Sequence, residues 1–358
     1  MKISHIILFI VASIITCKGE KPCSPLDSSC NLLGYILPDL ISNSNRKIKF
    51  NGLNYLTILS STSVRLGWTA ATSTVGSPIE YNIYSANTSG GQNFSTPLQT
   101  VAGVTTATIT GITAGTNNYY VVRAKDIAGN VDTNTNERAA LFNGLIRFIP
   151  LDSGSLTTGE KIGGGAVTAI GSPSTTSTDR KGTVNNAYTL NGSTQHFTFS
   201  ETTPVALPTG SASKTFCAWT RTTNLNSQTI IGYGGNTTGH ANFLMIHDIG
   251  YTYLAYDQSG SFANNSDASS TFTNGNWNFV CVTILRTATA NICGFQLNDS
   301  YLGENVNVTT ALNSINNTTG KIGAFSNTLS QRFNGSIAEV SIWNRILTQA
   351  EMLAVSKN

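Results

Sequence analysis

Charged residues are scarce in this sequence. Only 21 of its 358 residues are Lys or Arg and 18 are Asp or Glu, so 11% of the chain is charged, against about 25% in an average globular domain. A nucleic-acid-binding protein needs a basic patch that meets phosphates, and no extended basic run occurs here. A long coiled coil needs many Glu and Lys residues and is excluded on the same ground.

Polar uncharged residues take the place of the missing charges. The chain has 49 Thr, 37 Ser, 37 Asn and 33 Gly, but only 9 Pro. Thr favours strands because it is β-branched, and Asn and Gly favour turns. Hydrophobic residues make up 40% of the chain, which argues against disorder. The composition is therefore typical of all-β extracellular domains.

Long apolar runs are also missing, apart from a short one near the start. Residues 6–15 are predominantly apolar and too few to span a bilayer, but they have the length of a signal-peptide core. Cys17 follows directly, which resembles a bacterial lipobox, although Ile15 and Thr16 depart from its usual small residues. We predict a signal peptide over 1–16, a lipidated Cys17 and a tether over 17–50. The alternative is an ordinary secretory signal.

Two of the six cysteines are placed to form a disulfide, which export would permit. Cys281 and Cys293 lie six residues to either side of Thr287, in a segment that reads as two neighbouring strands. A simple hairpin would bring them opposite each other. The sequence predicts a Cys281–Cys293 disulfide, with two buried free thiols as the alternative.

Residues 51–140 are predicted to form a first β domain. Short alternating apolar runs, at 64–68, 79–84, 107–110 and 119–124, recur between turn signals, which is typical of β-sandwiches. The run with Trp68, the run at 80–86 and the late hairpin that ends at 124–130 resemble a fibronectin type III domain. The resemblance implies a sandwich with a buried Trp68, which would serve as a spacer.

Residues 141–358 are predicted to form a second, larger β domain. The ordered segments LNG at 190–192, KTFCAWTRT at 214–222 and GSIAEVSIWNRILTQAE at 335–351 resemble the laminin-G-like (concanavalin-like) jelly roll of bacterial surface proteins. The resemblance implies two packed antiparallel sheets. The apolar residues of the last segment break strict alternation, which predicts a bulge at Ala338 and Glu339. Helical periodicity is first seen at 347–355.

No catalytic constellation is evident in the second domain. Glycosidases need two carboxylates that flank the scissile bond, and no Glu-x-Asp-x-x-Glu arrangement occurs among its five glutamates. The sequence also contains no Gly-x-Ser-x-Gly elbow and no His-Glu-x-x-His motif. We therefore predict that the protein is not an enzyme.

A structural Ca²⁺ is implied by the second resemblance, because laminin-G-like domains often bind one through Asp side chains and backbone oxygens. Asp152 matches a frequent ligand position of the family, whereas Asn191 and Ala338 stand where the family has acidic residues. The alternative is that Asp152 only caps a turn. No other cofactor is predicted.

Aromatic side chains that stack on sugars are most concentrated between residues 232 and 260, together with hydrogen-bonding partners. The candidate ligand-binding residues are Tyr233, His247, Asp248, Tyr251, Tyr253 and Tyr256. The alternative for each tyrosine is a place in the sandwich core.

These features together predict a bacterial lipoprotein of the cell envelope, anchored in the outer membrane at the cell surface. Its predicted role is non-catalytic binding of a glycan or an extracellular-matrix protein, as in an adhesin, with no nucleic-acid partner. The alternatives are a structural or partner-docking envelope lipoprotein and a non-catalytic module related to carbohydrate-active enzymes. These functional hypotheses rest on analogy between folds.

Overall fold

The predicted all-β class is confirmed. A computed structural model describes residues 48–234, 241–246, 253–256, 262–265, 273–287, 290–307, 319–325 and 331–358. Strands β1 to β24 dominate, and the helices among these residues are α1 (Ser155–Thr158) and α2 (Gln349–Ser356). Neither described helix has the length and apolar character that crossing a bilayer requires.

Residues 48–140 fold into a sandwich, which we call the N-terminal sandwich. A three-stranded sheet, in the order β2-β3-β7, faces a four-stranded sheet in the order β6-β5-β8-β9, and β1 pairs with β4. The strands are β1 (Ile48–Lys49), β2 (Leu53–Ser60), β3 (Ser63–Trp68), β4 (Thr72–Ser73), β5 (Glu80–Ala86), β6 (Gln99–Ala102), β7 (Thr106–Ile109), β8 (Asn118–Lys125) and β9 (Arg138–Ala140). The predicted apolar runs fall on β3, β5, β7 and β8, and Trp68 is buried as expected.

The described residues from 145 onward form a jelly roll of two antiparallel sheets, as predicted. We call the first of them the middle sheet. Its strand order is β12-β13-β24-β15-β20-β21-β22, and β10 also pairs with β24. Its strands are β10 (Leu145–Ile149), β12 (Ser174–Ser177), β13 (Ala187–Asn191), β15 (Lys214–Arg221), β20 (Asn278–Arg286), β21 (Asn291–Leu297), β22 (Ser300–Asn307) and β24 (Asn334–Trp343).

The second sheet of the jelly roll is called the outer sheet. Its strand order in the described residues is β11-β14-β23-β16-β17-β18-β19. Its strands are β11 (Val167–Ile170), β14 (His196–Ser200), β16 (Gln228–Gly234), β17 (Ala241–Ile246), β18 (Tyr253–Tyr256), β19 (Phe262–Asn265) and β23 (Thr319–Ile322). Phe197 and Phe199 from this sheet share one buried core with Phe216 and Val282 of the middle sheet.

The central strands of the middle sheet are buried on both of their faces. Strand β20 shows this most clearly, since Val280 and Val282 point into the core shared with the outer sheet. The alternating residues Phe279 and Cys281 instead join a second core, which also contains Leu56 and other residues of the N-terminal sandwich. A strand that is buried on both faces reads as an almost continuous apolar run, as NFVCVTILR does at 278–286.

A cluster of charged residues lies where the two parts of the chain meet. Arg180 Nε donates to Glu339 Oε2 at 3.0 Å, and Lys181 Nζ lies 2.8 Å from Glu339 Oε1. Lys181 Nζ also donates to Thr57 Oγ1 of the N-terminal sandwich at 2.7 Å. We call Arg180, Lys181 and Glu339 the Glu339 cluster. The boundary between residues 140 and 141 stays a prediction, but the segments on its two sides share a core and this cluster.

The predicted bulge at Ala338 and Glu339 is confirmed. The register between β15 and β24 shifts between Cys217 and Trp219, and Glu339 has a positive φ of 51°. The Glu339 N–H donates to Pro150 O at 2.8 Å. The bulge turns the Glu339 side chain toward Arg180, and bulges commonly re-aim a side chain in this way.

The predicted helix near the C-terminal end of the sequence is also confirmed, as α2. Thr348 caps it by accepting a hydrogen bond from the Glu351 N–H, while the Glu351 side chain accepts from the Thr348 N–H. This reciprocal arrangement satisfies two backbone donors that the first turn leaves open.

The predicted Cys281–Cys293 disulfide is wrong. The hairpin turns between Arg286 and Asn291, later than assumed, so Cys281 pairs with Gln296 and Cys293 pairs with Ile284. The two cysteines consequently lie on opposite faces of the sheet, because an odd register shift exchanges the faces. Cys281 instead forms a disulfide with Cys217, its direct neighbour on β15, and Cys293 is a buried free thiol.

This pairing predicts a specific labelling pattern. Burial raises the pKa of the Cys293 thiol to about 12, so alkylating reagents should not modify it in the native protein. In denaturant without reductant, Cys293 should become labelled, whereas Cys217 and Cys281 should remain in one disulfide-linked peptide pair. Peptide mass mapping checks this, and a linked Cys281–Cys293 pair would contradict it. Reduction should lower the free energy of unfolding by about 4 kcal/mol.

Candidate functional site

The outer sheet has one face that points away from the jelly-roll core. On β14, Phe197 and Phe199 point inward, so the alternate residue Thr198 lies on the opposite face. Thr168 and Lys321 are paired with Thr198 in the adjacent strands and share this face. We call it the free face, defined by Thr168, Thr198 and Lys321. Because the central strands of the middle sheet are covered on both sides, the free face is a broad surface of the described jelly roll that remains for a ligand.

A line of directly paired residues crosses the outer sheet at this level, and we call it the register line. It runs through all seven strands: Thr168, Thr198, Lys321, Gly232, Phe243, Tyr256 and Phe262. The line begins with two hydroxyl-bearing residues, passes a lysine and a glycine, and ends with three aromatic residues. Hydroxyl groups and aromatic rings are the usual polar and apolar contacts in small-molecule sites.

Basic side chains gather beside this line. Arg332 Nη1 lies 3.2 Å from His196 Nδ1, and His196 precedes Thr198 by two residues on the same strand face. Burial, Arg332 and Lys321 all lower the pKa of His196 below its usual value. Burial also lowers the pKa of Lys321, while Glu201 raises it and Arg332 lowers it. These mutual effects place all three basic groups in one electrostatic environment, which we call the basic cluster.

The basic cluster was missed by the sequence analysis. Its members stand at positions 196, 321 and 332 and belong to three separate segments of the chain. The HFTFS pattern of β14 does place His196 and Thr198 opposite the two phenylalanines. Nothing in the sequence, however, states that β14 and β23 are neighbours, so the cluster follows from strand order alone.

Tyr233, a predicted ligand-binding residue, is in the core instead. Its side chain is 0% exposed, and its hydroxyl donates to Pro208 O at 2.7 Å. Its ring packs against Phe216 of the middle sheet, with ring centroids 5.7 Å apart. The prediction is wrong because all seven residues of β16 are buried. The alternation of side chains along this strand therefore does not separate a solvent-exposed face from a buried one.

The other predicted ligand-binding residues divide into two groups. Cys17, His247, Asp248 and Tyr251 lie outside the described residues. Tyr253 and Tyr256 are the first and last residues of β18. Tyr256 pairs with Phe243 and Phe262 on the register line described above, whereas Tyr253 pairs with Asn265. Their roles stay predictions.

Asp152 begins the turn that leads into α1. Its backbone carbonyl accepts hydrogen bonds from the Ser155 N–H at 3.0 Å and from the Ser155 hydroxyl at 2.7 Å. Asp152 also forms an isolated antiparallel β-bridge with Ala187. Within the described ranges, no group of three or more His, Cys, Asp or Glu side chains is arranged to hold a metal ion. The role of Asp152 as a Ca²⁺ ligand stays a prediction.

Three of the glutamates in the jelly roll are held in ion pairs. Glu160 Oε2 lies 2.6 Å from Arg147 Nη1, and both side chains are fully buried. Burial raises the pKa of Glu160, against the opposing effect of Arg147. Glu351 binds Arg345 through both carboxylate oxygens, and Glu339 belongs to the cluster already described. Each of these carboxylates is thus engaged by a basic side chain of the jelly roll.

The remaining two glutamates contact groups in their own neighbourhood. Glu201 is fully buried and its Oε1 accepts from the Gly234 N–H at 3.1 Å. Glu304 Oε1 accepts from the Tyr301 hydroxyl at 3.2 Å on the middle sheet. Glu201 follows β14 of the outer sheet and is buried, whereas Glu304 lies on β22 of the middle sheet, so they do not form a pair at one surface.

Comparison with known protein families finds a match to part of the jelly roll. Residues 191–352 match the laminin-G-type family described as the concanavalin A-like lectin/glucanases superfamily. Chitinase A1 of Niallia circulans is 45% identical over 74 residues, which are 21% of this chain and 9% of that enzyme. Chitinase D of the same organism is 39% identical over 74 residues, which are 21% of this chain and 12% of that enzyme. The matched segment thus spans about a tenth of the chitinases' length.

Two solved structures are also similar. Domain 4 of AbnA, an extracellular arabinanase of Geobacillus stearothermophilus, in complex with arabinotriose, has a TM-score of 0.45 at 15% identity, covering 59% of this chain and 98% of that one. The binding domain of botulinum neurotoxin serotype D has a TM-score of 0.43 at 14% identity, covering 60% and 51%. Both TM-scores are below 0.5.

Proposed function

We propose that this chain is a carbohydrate-binding protein of the cell envelope and that the free face of the outer sheet is its binding face. The observation that carries the proposal is the covering of the central strands of the middle sheet on both sides, which leaves the free face for a ligand. The register line across that face offers hydroxyl groups at one end and aromatic residue types at the other. The match to a superfamily of lectins and glucanases supports a saccharide as the ligand.

Binding without catalysis is the second part of the proposal. Hydrolysis of a glycosidic bond uses two carboxyl groups that flank the sugar. In the described jelly roll, the five glutamates hold buried pairs, a helix cap or local hydrogen bonds. The match to chitinases covers only a small segment of those enzymes. It therefore supports a shared module rather than a shared reaction.

A bulky substitution on the free face tests the proposed binding site. Thr198→Leu adds bulk and removes a hydroxyl, and we expect it to weaken glycan binding about tenfold, since a lost hydrogen bond and a steric clash combine. Thr100→Leu, on the exposed β6 of the N-terminal sandwich, is the matched control and should bind as the wild type does. A glycan array followed by calorimetry measures both. Equal affinity in all three proteins would contradict the site.

Anchoring completes the proposal. The chain would be a lipoprotein attached through Cys17, with a fibronectin type III-like N-terminal sandwich, and would present the jelly roll to a glycan or matrix protein at the outer surface. The apolar stretch at 6–15 followed by Cys17 supports this.

Fractionation tests the anchor. Cys17→Ser should move the protein from the membrane fraction to the soluble fraction, because a thioether-linked lipid can no longer form. Cys23→Ser is the control and should remain with membranes. A Cys17→Ser protein that still partitions with membranes would disprove lipidation at this residue.

A further inference from the structure

We propose that Lys321 and Arg332, the latter positioned by His196, bind the carboxylate of an acidic sugar residue on the free face of the outer sheet. This inference rests on the carbohydrate binding proposed above and names the class of saccharide: one that carries a uronic acid or a sialic acid. The sequence gives no hint of such a preference, since its basic residues are few and dispersed.

The geometry of Arg332 suits a planar anion. A guanidinium carries five N–H donors in a rigid fork that matches a carboxylate. His196 Nδ1 lies against one terminal nitrogen of Arg332 at 3.2 Å, which holds the guanidinium beside the strand and leaves most of its donors to other partners. His196 therefore acts as a positioning residue for Arg332.

Lys321 stands beside this fork. It lies directly opposite Thr198 on β14 and opposite Gly232 on β16. An ammonium is a compact charge with three donors, so it can share one carboxylate with a neighbouring guanidinium.

Electrostatics favours an anion at this place. Lys321 and Arg332 lower the pKa of His196, and Arg332 also lowers that of Lys321, so the positive groups destabilise one another. Glu201 offsets part of this charge and raises the pKa of Lys321, but its side chain is fully buried and accepts from a backbone N–H. An added carboxylate would relieve the remaining repulsion through charge-assisted hydrogen bonds.

The size of the cluster selects the ligand class. Two permanently charged side chains match one carboxylate, whereas a nucleic acid would need a longer row of cations along its phosphates. The register line continues from Lys321 toward Phe243 and Tyr256, the direction in which the rest of a saccharide would extend.

A matched pair of probes isolates the carboxylate. Calorimetry measures binding of the full-length protein to oligogalacturonides as free acids and in fully methyl-esterified form. A glycan array compares sialyllactose with lactose. We expect the acids to bind at least about tenfold more tightly than their neutral counterparts, since one charge-assisted contact is lost. The difference should shrink in high salt because the site is at the surface.

Variants assign the effect to the cluster. Lys321→Gln and Arg332→Gln should each abolish most of the difference in affinity between the acidic and the neutral member of each pair. Lys49→Gln removes the same charge from the exposed edge of the N-terminal sandwich and should retain the preference. His196→Asn should weaken acid binding, and thermal unfolding controls for loss of fold.

The outcomes distinguish the acidic-sugar site from the carbohydrate binding on which it rests. Equal binding of acidic and neutral glycans would overturn the acidic-sugar site and leave carbohydrate binding standing. A preference for acids that survives both glutamine variants would overturn the placement. The absence of binding to any glycan on the array would contradict both proposals.

Discussion

Glu339→Gln should lower the free energy of unfolding by about 3 kcal/mol, because it leaves two mostly buried cations without their counter-charge. The side chains of Arg180, Lys181 and Glu339 are 9%, 17% and 18% exposed. Lys181 also donates to Thr57, so the effect should reach both parts of the chain. Chemical denaturation at neutral pH measures the change.

The control for this variant is an exposed ion pair of the same kind. Glu80 and Lys125 lie 3.2 Å apart with side chains 46% and 42% exposed. Glu80→Gln should change stability by less than about 1 kcal/mol, as surface pairs do. If both variants had equally small effects, the Glu339 cluster would contribute no more than an ordinary surface contact.

The same cluster predicts how stability depends on pH. Burial raises the pKa of Glu339, but Arg180 and Lys181 outweigh it and hold the pKa at about 2, below the usual 4.5. Above pH 4.5 the full contribution is present. As the pH falls from 4.5 toward 2, the unfolded chain takes up the proton first, so this stability is lost. The slope of unfolding free energy against pH in this window should be smaller in Glu339→Gln.

Residues 141–358 alone should fail to form a soluble, cooperatively folding domain. Removing the N-terminal sandwich would uncover the second face of the middle sheet, including Phe279, Trp343 and the Cys217–Cys281 disulfide. Exposing each large apolar side chain to water costs about 1.5–3 kcal/mol of stabilising free energy. A contiguous apolar patch of this kind also promotes aggregation.

Two fragments test this dependence. Residues 48–358 should elute as one species and unfold in a single calorimetric transition, because the two parts share a core. Residues 141–358 should aggregate or show no cooperative transition. A monomeric 141–358 with a sharp transition would refute the dependence. The binding experiments above therefore use the full-length protein.

Local pattern was sufficient to predict most elements of the fold. The apolar runs at 64–68 and 119–124 fall on β3 and β8, and helical periodicity at 347–355 falls on α2. The bulge at Ala338 and Glu339 was readable because three apolar residues broke the alternation of a single strand. Such features depend on neighbours along the chain, which the sequence displays directly.

Features that depend on strand order and register were not readable in this way. The disulfide prediction failed because a hairpin that turns slightly later puts Cys281 and Cys293 on opposite faces. Tyr233 was misplaced because β16 is buried throughout. The basic cluster requires β14 and β23 to be neighbours, although more than a hundred residues separate them, and the double burial of the central strands of the middle sheet requires the whole layer order.

The layer order has a mechanical consequence. The N-terminal sandwich, the middle sheet and the outer sheet follow one another, so the free face points away from the end through which the chain enters. With Cys17 held at a membrane, that face would be directed outward without a hinge inside the folded unit. A pulling force on a bound saccharide would then load the contacts between the two parts in tension, and the Glu339 cluster with Thr57 is one of the places where they are joined.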